Sequence, residues 1–245
     1  TTTGVISGSP QISLEPEDFV ITASNTGGST SRSVKLWINK KPIAAITGNT
    51  KLEFGETYEL NGSLSSDDDF VFSQTPPFNG NSVALEYIWS VESKPLGSAL
   101  SNSNFSGQTD IVSITPDVKG DYTFGLIVSD GYDSSEKELI TISVASSPKN
   151  INYGSTTFGE NIFVYNEGDF INISPTFDGD NSVFNISPNL PSGLVLNENT
   201  GQISGIVTNN SSPTNYIITA ENGGGSSSVN ISLWINQIPE VNFIS

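Results

Sequence analysis

The chain has 245 residues, room for one large or two small domains, with 26 acidic against 9 basic residues and a formal net charge of −17. That charge repels nucleic acid phosphates and anionic membrane surfaces, so neither is an expected partner. Cysteine and histidine are both absent, which excludes disulfide staples, Ser-His-Asp and Cys-His catalysis, and zinc or copper sites built on those ligands.

Residues 1–40 carry the most informative pattern. Aligned without a gap at an offset of 197 residues, about half of the forty positions recur downstream. Ile6-Ser7-Gly8 returns as Ile203-Ser204-Gly205, Ile21-Thr22-Ala23 as Ile218-Thr219-Ala220, and Gly27-Gly28-Ser29 as Gly224-Gly225-Ser226. Leu36-Trp37-Ile38-Asn39 returns as Leu233-Trp234-Ile235-Asn236, and Pro42 as Pro239. The period is too long for a solenoid turn of about 20–45 residues but fits two alternating β-domains. Residues 1–40 therefore read as the late part of a domain. Its first half, by analogy with residues 146–199, is expected from a preceding segment of a longer chain or from a neighbouring copy.

Residues 41–145 alternate with the period of half-buried strands. Tyr122, Phe124, Leu126 and Val128 share one face, as do Ile140, Ile142 and Val144. YELNGS, LEYIWSV and DIVSITP read as further strands, with Gly, Pro, Asn and Asp marking the gaps. The stretches LNGSLSSDDD, EYIWSV and GDYTFGLIVSDG resemble the PKD domain and its relatives. The resemblance implies a seven-stranded immunoglobulin-like sandwich with Trp89 in its core, used on surface proteins as a spacer or interaction module. The insertion VFSQTPPFNGNSV departs from that pattern and lengthens one loop.

Residues 146–237 combine a turn-dense stretch, LPSGLVLNENTGQISG, with a long hairpin. Tyr216, Ile218 and Ala220 alternate before a glycine-rich turn; Val229, Ile231, Leu233 and Ile235 alternate after it. The words Leu-Pro-x-Gly-Leu, Thr-Gly-x-Ile-Ser-Gly and Ile-Thr-Ala-x-Asn-x-x-Gly resemble the dystroglycan-type cadherin-like domain, an immunoglobulin-like unit of bacterial and archaeal surface proteins. Trp37 and Trp234 fall on the outward phase of their strands, just before the linkers, and are expected to plug the junction with the next domain. Residues 238–245 align with the start of another PKD-like unit. The fold class is thus all-β, tandem immunoglobulin-like and cadherin-like sandwiches in an extended array.

Chemistry is sparse. The acidic run Asp67, Asp68 and Asp69, together with Asp130 of the Asp-Gly-Tyr-Asp turn, is the candidate calcium site. Clustered loop carboxylates suit a cation that takes six to eight oxygens, although no EF-hand loop is spelled. Asp178-Gly179-Asp180-Asn181 forms a second acidic turn, and Lys149 and Asn236 are an outline match for an intramolecular Lys–Asn crosslink. No catalytic constellation is present, and no segment is apolar enough to span a bilayer. These features point to a non-catalytic structural repeat of an extracellular, cell-surface protein, with neighbouring domains or copies as partners. The alternatives are a module binding a cell-surface glycan or protein, and an accessory region of a secreted hydrolase.

Overall fold

A computed structural model of the protein describes residues 4–12, 14–67, 85–105, 107, 109–237 and 239. Asp68, Asp69, the VFSQTPPFNGNSV insertion and all of 238–245 except Pro239 lie outside the described residues. Among the described residues there is no α-helix; the chain runs through nineteen strands and one 3-10 turn.

It begins with a two-stranded hairpin, β1 (Leu14–Asn25) and β2 (Gly28–Ile38), paired only with each other among the described residues. A first sandwich follows, built from β3 (Lys51–Glu53), β4 (Tyr58–Asn61), β5 (Glu86–Ser93), β6 (Ile111–Ile114), β7 (Gly120–Ser129) and β8 (Glu138–Ala145). Its four-stranded sheet has the order β3-β8-β7-β5 and faces the β4-β6 pair. The alternation in β7 is realised: Tyr122, Phe124, Leu126 and Val128 are fully buried. Trp89 of β5 is buried beside them and donates its indole N–H to the Thr109 carbonyl at 2.8 Å, so no polar atom of the ring is stranded in the core. The Tyr122 hydroxyl donates to the Val118 carbonyl at 2.8 Å and accepts from the Val118 N–H at 3.1 Å. This return of a strand-start tyrosine onto backbone four residues upstream is the tyrosine corner of immunoglobulin-like sandwiches.

The second sandwich comprises β9 (Lys149–Asn152), β10 (Ser155–Thr156), β11 (Gly159–Glu160), β12 (Ile162–Asn166), β13 (Phe170–Ile173), β14 (Thr176–Asp178), β15 (Val183–Ser187), β16 (Leu194–Leu196), β17 (Ile203–Ile206), β18 (Ser211–Asn222) and β19 (Gly225–Asn236). The sheet β12-β19-β18-β15 faces β13-β17-β16 over a core of Phe163, Ile171, Phe184, Ile203, Ile218, Ile231 and Leu233. Both sandwiches close alike: a short early strand runs parallel to the last strand, β3 against β8 and β12 against β19.

The sequence repeat is also a repeat of structure. The Asn25 side chain accepts the Gly27 N–H at 2.8 Å, and Asn222 accepts the Gly224 N–H at 2.8 Å. Thr22 and Ser31 bond across the first hairpin at 2.7 Å, as Thr219 and Ser228 do across the second at 2.8 Å. What differs is burial. Ile21 is 42% exposed where its counterpart Ile218 is 0%, and Leu36 is 43% exposed where Leu233 is 1%. The β1–β2 hairpin is folded locally but its core face has no second sheet against it among the described residues.

Candidate functional site

The inward faces of both sandwiches are filled with side chains, and polar side chains reach from one unit to the next at the ends where units meet. Two such junctions are present among the described residues.

The first joins the β1–β2 hairpin to the first sandwich. Outward alternation at the end of β2 aims Trp37 at the turn after β7, where its ring meets Tyr132 edge-on, centroids 4.5 Å apart and planes at 86°. Two residues on, the Asn39 side-chain amide donates to Asp130 Oδ2 at 2.7 Å. Asp130 is 1% exposed. Its other oxygen accepts the backbone N–H groups of Tyr132 and Asp133, each at 2.7 Å. Burial pushes this carboxyl up, but the Asp133 N–H, the Asn39 amide and the Tyr132 N–H outweigh it and hold the group below the usual range. Asp130 therefore stays charged, organises its own turn and grips the preceding unit. A buried carboxylate surrounded by N–H donors is satisfied without a metal.

The second junction joins the two sandwiches and is more extensive. Glu53 of β3 accepts the Ser147 N–H at 2.6 Å and the Lys149 ammonium at 3.0 Å across the linker. Burial raises the Glu53 carboxyl, but those hydrogen bonds prevail and its pKa is lowered. Lys149, weighed above as a crosslink donor, is thus engaged by the preceding sandwich. Asp180 accepts the Lys119 ammonium at 2.8 Å and the Ser146 N–H at 2.8 Å, the Lys119 bond being the main cause of its lowered pKa. Lys51 pairs with Glu221. The tip of the β18–β19 hairpin folds back over the linker: the Leu52 N–H donates to the Gly223 carbonyl at 3.0 Å, and the Asn222 amide donates to the Ser146 carbonyl at 2.8 Å. Side chains would not fit here. A Cβ on Gly224 would lie 2.1 Å from the Ala145 carbonyl oxygen, and one on Gly223 would lie 2.7 Å from the Ser143 Cβ.

Of the candidate calcium ligands, Asp67 is half-buried and follows Ser66, whose backbone pairs with Ile43, while Asp130 sits in the first junction. Among the described residues, no three acidic side chains are gathered to hold a metal. Sequence reasoning placed Trp37 at a junction but missed Asn39, Glu53, Lys119 and Asp180 as the polar parts of the two joints. The available signal was the third glycine at 223–225, one more than a hairpin tip requires.

Residues 148–236 match the sequence model of a family described as "Putative Ig domain"; this segment is an immunoglobulin-like domain. The chain is similar to the Dyslexia-associated protein KIAA0319-like protein of Mus musculus, 33% identical over 122 residues, which cover 49% of this chain and 10% of that protein's length. Among solved structures, extracellular domains 3–5 of Drosophila OTK align over 84% of this chain and 66% of their own length, at 10% identity and a TM-score of 0.48. The eight N-terminal Ig domains of Down Syndrome Cell Adhesion Molecule align over 91% of this chain and 28% of theirs, at 12% identity and a TM-score of 0.38.

Proposed function

We propose that this chain is a non-catalytic, stiffened stretch of an extracellular repeat protein, a stalk or adhesin shaft that holds its distal parts away from a cell surface. The observation that carries the reading is the 197-residue repeat, which recurs in sequence and in hydrogen bonding, while both junctions between units are tied by specific side chains, Asn39 to Asp130 at one and Glu53 to the Ser147 N–H at the other. A flexible string of beads needs no buried carboxylate at one joint and no glycine run pressed on the linker at another. The acidic surface, the lack of histidine and cysteine, and the resemblance of both units to modules of surface proteins support the same reading.

The test is the stiffness of the joint between the sandwiches. Spin labels on exposed positions of β5 and β15 should report one narrow inter-label distance by pulsed electron resonance, unchanged by moderate salt. A distribution tens of ångströms wide would sink the proposal, because interfaces between tandem domains are mobile unless built to be otherwise.

A further inference from the structure

The end of β19 repeats the half-joint that β2 uses, with no partner turn against it among the described residues. Leu233-Trp234-Ile235-Asn236 is identical to Leu36-Trp37-Ile38-Asn39, and both runs reach a proline three residues after the asparagine, Pro239 and Pro42. Trp37 lies edge-on against Tyr132 and the Asn39 amide is held by Asp130. Trp234, aimed outward by the same strand phase between the buried Leu233 and Ile235, is 42% exposed. The Asn236 side-chain amide makes no hydrogen bond among the described residues, although its backbone carbonyl accepts the Glu167 N–H at 2.9 Å.

We propose that Trp234 and Asn236 form a docking surface for a sandwich of the 41–145 type joined directly behind Pro239, received through its Asp-Gly-Tyr turn. The chemistry is selective on both sides. The partner's turn must bring a buried carboxylate with one oxygen to spare for the Asn236 amide, and an aromatic ring two residues later to meet Trp234. A free second copy of this chain does not fit, because its turn at 130–133 is already filled by its own Trp37 and Asn39. The occupant is therefore a unit whose turn is open, and in a tandem arrangement the linker delivers that turn at high effective concentration. This inference rests on the array reading, extending it from one observed joint to the next.

The experiment appends residues 43–145 after Pro239 of the full chain, which preserves the 197-residue period. Acrylamide quenching of Trp234 is then read in a Trp37→Phe background, since Trp89 is buried in either copy of the sandwich. The expected result is a several-fold lower quenching constant for Trp234 than in the unextended chain, restored toward the open value by Asn236→Ala. Equal quenching in extended and unextended chains overturns the inference. A parallel measurement on Trp37, in a Trp234→Phe chain, separates the two claims. If Trp37 is shielded and Trp234 is not, only the second joint fails; if Trp37 is quenched like a free side chain, the array reading fails with it.

Discussion

Asp130 shows how much one side chain can decide. Three donors converge on a carboxylate that is closed off from water, two from its own turn and one from the preceding unit. Removing it strands all three, so Asp130→Ala should cost about 1–3 kcal/mol of stability in the first sandwich, read by urea unfolding. Trp37→Ala should instead leave that core intact and cost about 0.5–1.5 kcal/mol beyond the area it uncovers, seen as faster amide exchange around Tyr132. The acid side follows from sign. The folded Asp130 pKa lies below its unfolded value, so its contribution is full above about pH 4 and is lost as pH falls through the folded pKa.

At the scale of elements, the hairpin tip at 222–225 lies on the linker between the two sandwiches, bonded to Leu52 of the first and to Ser146 of the linker. Gly224→Ala places a methyl carbon against the Ala145 carbonyl, a clash with backbone that no rotamer relieves. The tip must lift, taking the Gly223 bond to Leu52 and the Asn222 bond to Ser146 with it. Expected is a broadened inter-domain distance distribution with unchanged unfolding midpoints for the two cores; a folded variant that keeps a narrow distribution would show that the tip does not set the joint. The ion pairs Lys51–Glu221 and Lys119–Asp180 are partly exposed and each contributes little alone. Acid acts on them together with Glu53: both the Glu53 and the Asp180 carboxyls are lowered in the folded state, so this joint holds above about pH 4–4.5 and loosens as pH drops below that range. Scattering profiles collected from pH 7 to pH 3 should show gain of flexibility before loss of either core.

For the whole molecule, the first hairpin supplies the sharpest contrast. Phe19, Ile21, Val34 and Leu36 lie on the core face of the hairpin with no second sheet over them among the described residues, whereas Tyr216, Ile218, Ile231 and Leu233 are buried by β12, β15 and the opposite sheet. A two-stranded hairpin alone is marginal in water. Adding residues 146–199 ahead of Thr3, in register with the repeat, should supply the missing sheets. Amide protection in β1 and β2 should then rise by at least about 100-fold, the change that roughly 3 kcal/mol produces. No rise would mean that the repeat in sequence does not extend to a shared way of completing the fold.

Much of this was legible in the residues themselves. Period-two alternation placed Tyr122, Phe124, Leu126 and Val128 in one core and Ile218, Ile231 and Leu233 in the other, because burial on one face of a pleated strand imposes that pattern directly on the chain. The 197-residue repeat and the outward phase of Trp37 and Trp234 were equally plain. The pairing of Asn39 with Asp130, of Glu53 with Ser147 and Lys149, and of Lys119 with Asp180 was not. Those partners stand as many as 96 residues apart, on loops and strand ends with no periodicity to read. An acidic turn has the same composition whether it meets solvent, a cation or the N–H groups of a neighbouring unit. Sequence determined the sandwiches and their order, since each core is written along its own strands; only the tertiary structure decided which charged turns become joints, since a joint exists only where two separately folded surfaces meet.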